Sequence, residues 1–136
     1  MSPEKSKQLI EIYPELFDRD NIRNLVTMFG IECGDGWFEL LKDCLTEIKA
    51  ELDKNPYTID EFFDGFKIDQ IKEKYGTLRL YITPHTDEIS EIIEKAELRS
   101  EVTCESCGAT GKLRGGVVGD YWMRTSCQAC ENKKGK

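Results

Sequence analysis

The chain has 136 residues, of which 39% are hydrophobic and 33% are charged. This length allows one core of roughly 100 residues with a small appendage, and it is short for two independent hydrophobic domains. The balance of apolar and charged residues is that of a globular protein with a solvated exterior, so disorder throughout is not expected. No run approaches the roughly 18 consecutive apolar residues of a membrane span, and a membrane role is not expected.

The net charge of −7 is distributed unevenly along the chain. Residues 1–101 contain 13 Lys/Arg and 23 Asp/Glu, a net of −10, whereas residues 102–136 contain 6 and 3, a net of +3. We therefore divide the chain into an acidic body, residues 1–101, and a C-terminal segment, residues 102–136. Such a body repels nucleic acid and favours a protein partner with a basic surface.

Two short helices are predicted near the start of the chain. Ser2 and Pro3 are typical of a helix N-terminus, and Pro14 should end that helix because its ring removes a hydrogen bond. A second helical pattern runs from Ile22 to Phe29 and stops at Gly30.

The strongest helical pattern covers about residues 36–54 and predicts the core helix, with Asp35 at its N-cap. Cys44 lies within the apolar stripe and is interpreted as a small buried hydrophobe. The preceding Cys33-Gly34-Asp35-Gly36 could be a ligand loop. A glycine-rich turn feeding the helix is the better interpretation, because one cysteine and one aspartate make a poor metal site.

Residues 66–83 change to a pattern that favours a β-hairpin turning at Tyr75-Gly76. In the second strand, three residues are predicted to face the core and three to face outward: Leu78, Leu80 and Ile82, then Thr77, Arg79 and Tyr81. A bulge near Asp69 would reconcile the irregular spacing of the first strand. A helix beginning near Thr86 and Asp87 follows, with an apolar stripe of Ile89, Ile92, Ile93 and Ala96. The predicted fold class is α+β, with helices packed on a β-hairpin.

The C-terminal segment contains two Cys-x-x-Cys pairs, Cys104/Cys107 and Cys127/Cys130, separated by 19 residues. Two residues between paired cysteines let one tight turn present both sulfurs to one ion, and four thiolates satisfy zinc in a tetrahedron. Redox pairs or chance are the alternatives. The spacing predicts one structural zinc ion in a zinc-ribbon or treble-clef-like finger that unfolds without metal. Because all four positions are filled by protein, we expect no catalysis at this ion.

The spacer of the finger is predicted to form two strands around Gly115, Gly116 and Gly119. Four of its side chains could form a basic aromatic face for nucleic acid or a partner: Lys112, Arg114, Trp122 and Arg124. The preferred alternative has Trp122 covering the small core of the finger and the cations balancing the zinc–thiolate charge. Four thiolates and Zn²⁺ change the segment's net +3 by −2 to about +1, which gives little counterion release.

Candidate catalytic residues are few. His85, the single histidine, could be a general base, and Asp60, Glu61 and Asp64 could form a magnesium or acid/base site. A solvated loop histidine and a solvated acidic face are the preferred interpretations. An enzyme with an unrecognised carboxylate site remains as an alternative.

The location is predicted to be the cytoplasm. The sequence MSPEKSKQ at the start lacks the apolar run of a secretory signal. Six cysteines in a reducing compartment favour metal binding over a disulfide framework.

Three strings, ECGDGWFELL, QIKEKYGTLRLYI and TCESCGATGKL, resemble those of small proteins from bacteriophages and prophages, over roughly residues 30–130. The resemblance brings no catalytic residues. It implies a phage or host-cell setting, in which small acidic proteins often resemble inhibitors of host machinery, including antiviral defence. The leading hypothesis is a zinc-stabilised protein-interaction module, and the alternative from another class is a nucleic-acid-binding zinc ribbon.

Overall fold

The computed structural model describes residues 1–17, 24–54, 66–84 and 86–134. These residues form a mixed helix and sheet structure with two small antiparallel hairpins, as the predicted fold class requires. In chain order the elements are α1 (Pro3–Ile12), α2 (Leu25–Phe29), α3 (Phe38–Lys54), β1 (Lys67–Lys74), β2 (Thr77–Thr83), α4 (Asp87–Ser100), β3 (Lys112–Arg114), β4 (Arg124–Ser126) and α5 (Gln128–Lys134). Within these ranges no helix combines the length and the apolar character that crossing a bilayer demands.

Helix α1 begins where its capping residues predict, whereas α2 begins at Leu25, after an N-cap at Asn24 that was not predicted. The Ser2 hydroxyl accepts a hydrogen bond from Lys5 N at 3.4 Å, and Pro3 is the first residue of α1. Helix α1 ends before Pro14, which starts a separate 3₁₀ turn. Helix α2 ends at Gly30, whose φ of +73° favours glycine. Ile22, part of the predicted second helix, lies outside the described residues.

The core helix is confirmed, but its predicted cap is wrong. A 3₁₀ turn, Asp35–Trp37, precedes α3, and Gly34 occupies its N-cap position without a side-chain capping bond. Its carboxylate instead accepts a hydrogen bond from Ser2 N at 2.7 Å. Asp35 therefore ties the N-terminus of the chain to the entrance of α3, a long-range contact that overrides the local capping preference.

The hairpin of β1 and β2 turns at Tyr75 and Gly76, and its register shifts between Ile68 and Gln70, which confirms the bulge. Leu78, Leu80 and Ile82 are buried as expected. Thr77 was predicted to face outward and is buried instead. Its hydroxyl donates to Lys74 O and accepts from the Arg79 guanidinium, so the polar group is satisfied inside the structure.

One hydrophobic core joins the helices to the hairpin. Helix α4, capped by Thr86, packs on β2 and on α3. Side chains with no exposed surface from α3, β2 and α4 meet there: Leu41, Leu45, Ile48, Leu78 and Ile89. Trp37 and Cys44 belong to the same core, so Cys44 is a buried small side chain as predicted.

Candidate metal centre

Four sulfurs converge at the C-terminal end of the chain. Those of Cys104, Cys107, Cys127 and Cys130 all lie within 4.8 Å of one another. The Cys107 and Cys127 sulfurs are 3.6 Å apart, far longer than a disulfide bond of about 2.05 Å. A tetrahedron with Zn–S bonds of about 2.3 Å has edges of about 3.8 Å. The spacing of the sulfurs therefore fits a single metal ion.

Two backbone turns present these sulfurs. At the first pair, Cys104 N donates to Ala109 O at 2.7 Å, and Gly108 N donates to Cys104 O at 2.9 Å. Gly108 has a φ of +85°, a conformation that glycine adopts without strain. At the second pair, Cys127 directly precedes α5 and Cys130 lies in the first turn of that helix. The order along the chain is a cysteine turn, a hairpin and a helix.

The finger has no apolar core of its own. In residues 102–134, no aliphatic or aromatic side chain is buried, and its buried cluster consists of Cys104, Cys127 and Cys130. Burial of apolar surface is the usual stabilising term in folding, and here it is nearly missing. A metal ion bound by the cysteines would supply the free energy that such a segment otherwise lacks.

The protonation of the sulfurs also suits metal binding. Burial raises the pKa of Cys104, but hydrogen bonds from the backbone of Cys127, Cys107 and Ser106 outweigh it, and the pKa falls to about 6. The backbone of Cys130 lowers the pKa of Cys127. Without metal, hydrogen bonding to the Cys127 sulfur raises the pKa of Cys130 to about 12. The cluster therefore favours the thiolate at some sulfurs and retains protons at others, which a divalent cation would displace.

The first cysteine turn rests directly on the glycine-rich turn of the body. Gly36 N donates to Glu105 O at 2.7 Å, and Gly34 N donates to the Glu105 carboxylate at 2.8 Å. The indole Nε1 of Trp37 donates to Thr103 O at 2.9 Å. A Cβ added to Gly36 would lie 2.1 Å from Cys104 O. The glycines are needed because two backbones meet here, a role that the sequence did not indicate.

A second contact joins the hairpin turn of the body to β4. The Thr125 hydroxyl donates to Gly76 O at 2.7 Å, and both groups are buried. A Cβ on Gly76 would lie 2.8 Å from Arg124 N. The finger is thus held on two sides, by the turn before α3 and by the turn between β1 and β2.

The predicted basic face of the finger is mostly engaged internally. Arg124 forms ion pairs with Asp120 at 2.9 Å and Glu131 at 2.8 Å, and its side chain is 13% exposed. Arg114 Nε donates to Ser126 O at 3.2 Å. Lys112 is exposed. Hydrogen bonds from Arg124 and Ser126 lower the pKa of Glu131 to about 2, so the pair stays charged.

The expectation that Trp122 covers the core of the finger is wrong. Trp122 is 58% exposed, and the Arg124 guanidinium lies 5.1 Å from its ring centroid. The cations of the finger were also expected to balance the negative charge of the sulfur cluster. That is not their sole role, because Arg124 is paired with carboxylates. The ring rests on a cation instead of on apolar side chains, since the finger offers no apolar interior to cover.

Replacing Arg124 should destabilise the finger. Arg124→Gln removes both ion pairs and the contact under Trp122, and it leaves Glu131 without its cation. We expect the melting temperature of the zinc-bound protein to fall by several degrees. Lys112→Gln, which removes the same charge from an exposed side chain of the neighbouring strand, should leave it unchanged. Equal melting temperatures for both variants would contradict the structural role of Arg124.

The two cysteines of the body should react slowly with alkylating reagents. Burial raises the pKa of both Cys33 and Cys44 to about 12. At pH 8 such a thiol is ionised to only about one part in ten thousand, and the thiolate is the reactive form. Iodoacetamide labelling followed by peptide mass mapping should show both sites protected in the native protein and modified in guanidinium. Rapid native labelling of Cys44 would contradict its burial.

His85 and the carboxylates Asp60, Glu61 and Asp64 lie outside the described residues, so the enzyme hypothesis built on them stays a prediction. In the described part of the chain, the four cysteines are the one group of side chains arranged to hold a metal ion. No protein-family model, curated protein or solved structure matches the chain.

Proposed function

We propose that the four cysteines hold one structural zinc ion. All four ligands are thiolates, the set that zinc prefers in closed tetrahedral sites, and a closed site leaves no position for substrate. The order of cysteine turn, hairpin and helix supports a treble-clef-like finger over a ribbon of two cysteine turns. The ion's role is then to fix the hairpin between the cysteine pairs.

We further propose that the protein is a protein-interaction module that uses the tip of this hairpin. The tip presents four exposed side chains: Val117, Val118, Tyr121 and Trp122, at 60%, 91%, 75% and 58% exposure. Two backbone hydrogen bonds between Val117 and Asp120, of 3.1 and 3.0 Å, close the turn that carries Val118. This group of exposed apolar residues on a hydrogen-bonded turn is the observation that carries the proposal, because exposed apolar patches mark interaction sites.

A protein partner explains this surface better than nucleic acid does. Nucleic-acid binding depends on cations that can neutralise phosphates, and Arg124 and Arg114 are already engaged within the finger. The side chains of Val117 and Val118 have no charge or hydrogen-bond donor that could bind a phosphate. Aliphatic and aromatic side chains are typical of the centre of a protein interface. The nucleic-acid-binding ribbon remains the alternative and predicts binding that weakens with salt and with Trp122→Ala.

The charge of the body supports a partner with a basic surface. Residues 1–101 carry 13 basic and 23 acidic side chains, and complementary potential speeds encounter and selects partners. The setting in a phage-infected cell and the inhibition of host defence rest on the resemblance alone and stay predictions.

The test is affinity capture of partners from a bacterial lysate with the zinc-loaded protein and matched surface variants. Tyr121→Ser should abolish capture of a partner that the native protein retains, because it removes an exposed apolar contact. Leu98→Ser is the control, since Leu98 is 57% exposed on α4, outside the finger. Native mass measurement should show one zinc in every variant. If both variants still capture the partner, or if both fail to capture it, the hairpin tip is rejected as the interaction surface.

A further inference from the structure

A groove of about 620 Å³ lies between β2 and α4, and Asp69 of β1 also lines it. This volume is within the range of about 300–1,000 Å³ that is typical of ligand sites. Its floor is apolar, formed by side chains of both elements: Leu80, Ile82 and Ile93. The groove is distinct from the finger and is not used by the function proposed above.

The direction of α4 places acidic side chains at one end of this groove. Leu78 N donates to the Ser100 hydroxyl at 2.9 Å, and Leu80 N donates to the Glu97 carboxylate at 3.3 Å. Later residues of β2 therefore lie beside earlier residues of α4. Glu94 then lies beside the Ile82 end of the strand, where Asp69 accepts a hydrogen bond from the hydroxyl of Thr83.

The groove is negatively charged because its carboxylates outnumber its cations. It is lined by three carboxylates, Asp69, Glu94 and Glu97, and by one guanidinium, that of Arg79. Arg79 is held near the start of β2 by bonds to the Thr77 hydroxyl and Leu78 O.

The cations of α4 do not offset this charge. Lys95 pairs with Glu47 and Arg99 pairs with Asp43, both on α3. Glu94 forms no ion pair with any residue in the described ranges.

The same contacts exclude addition of a partner strand along the first half of β2. The amide groups of Leu78 and Leu80 are already bonded to α4, so they cannot join a ladder. A ligand must therefore bind through side chains. Lysine and arginine place their aliphatic stems on apolar surface and their charged heads beside carboxylates, which matches an apolar floor with an acidic end.

We propose that this groove binds a basic segment of the partner protein, with an arginine or lysine side chain lying on Leu80, Ile82 and Ile93 and its cation between Asp69 and Glu94. Charge complementarity argues for this occupant, since the net charge of the lining is −2 and that of the body is −10. The proposal deepens the proposed function by naming the partner's chemistry, and it adds a second contact surface to the hairpin tip.

The test titrates the zinc-loaded protein with a fluorescent pentapeptide of alternating leucine and arginine, and with the same peptide carrying glutamine for arginine. Glu94→Gln should weaken arginine-peptide binding by roughly fivefold, the effect of a partly exposed charge pair. The matched control is Glu91→Gln, a change at another exposed glutamate of α4 outside the groove, which should alter binding less than twofold. Arg79→Gln should strengthen binding because it removes the groove's cation.

Amide chemical shifts should locate the arginine peptide at Tyr81, Ile82 and Ser90. Equal weakening by Glu94→Gln and Glu91→Gln would show diffuse attraction to an acidic surface and would overturn the groove. The groove would also be rejected if the arginine peptide showed no detectable binding, or if the glutamine peptide bound as tightly as the arginine peptide. Shifts confined to Val118 and Tyr121 would reject the groove while leaving the hairpin tip as the interaction surface. Suppose instead that the arginine peptide binds the groove and that Tyr121→Ser captures the same lysate partners as the native protein. This pair of results would reject only the hairpin tip as an interaction surface.

Discussion

Removal of the metal is expected to unfold residues 102–130 and to loosen the adjoining part of the body. Apparent zinc-binding free energies in finger peptides are about 10–16 kcal/mol, and the finger buries no aliphatic or aromatic side chain that could replace them. Unfolding of the finger removes Glu105 and Thr103 from the turn before α3. Trp37 then loses the acceptor for its indole N–H, which lies at the edge of the main core.

The measurement is stepwise chelation followed by native mass, amide spectra and tryptophan emission. One zinc should leave, the amides of residues 102–130 should collapse to random-coil shifts, and the emission should change as Trp37 becomes hydrated. Zinc should restore the native spectrum, and magnesium, which prefers oxygen ligands, should not. Cys104→Ser should reproduce the metal-free state at zinc concentrations that saturate the native protein. A metal-free protein with native amide dispersion in the finger would contradict the structural role of the ion.

Features that depend on short stretches of sequence were predicted from the sequence. The positions of Ser2, Pro14 and Gly30 located helix ends, and the broken alternation around Asp69 located the bulge. The four cysteines could be paired with one metal because ligand spacing is local within each pair. Such patterns involve residues that are close together in the sequence, so they can be recognised without a structure.

Features that depend on distant contacts were missed. Asp35 has a sequence suited to a helix cap, yet Ser2, 33 residues away, takes its carboxylate. Trp122 was assigned to a core that the finger does not contain, because alternation shows which side chains share a face but not what that face meets. The glycines before α3 looked like an ordinary turn. Their contact with Glu105 spans 71 residues, and no local pattern records it.

Gly36→Ala should weaken both folding and zinc binding, because it forces the finger away from the body. The added Cβ would lie 2.1 Å from Cys104 O and 2.6 Å from Glu105 O. Both atoms belong to the backbone of the first cysteine turn, so they cannot move aside as a flexible side chain would. The hydrogen bond from Gly36 N to Glu105 O must lengthen or break. We expect a loss of about 3 kcal/mol, at the upper end of ordinary overpacking effects.

Gly30→Ala is the control that distinguishes the steric clash at Gly36 from backbone strain. Gly30 has φ +73° and ψ −159° with no atom within 4 Å of an added Cβ, so alanine there costs only the strain of a backbone conformation that is almost restricted to glycine, about 1–3 kcal/mol. Chemical denaturation should show a loss of stability in both variants, and chelator competition should show weaker zinc retention in Gly36→Ala alone. Native zinc retention in Gly36→Ala would mean that the metal site forms independently of the body. Coupling between the two requires the opposite result, because the sulfur of Cys104 belongs to the proposed metal site while its carbonyl packs against Gly36.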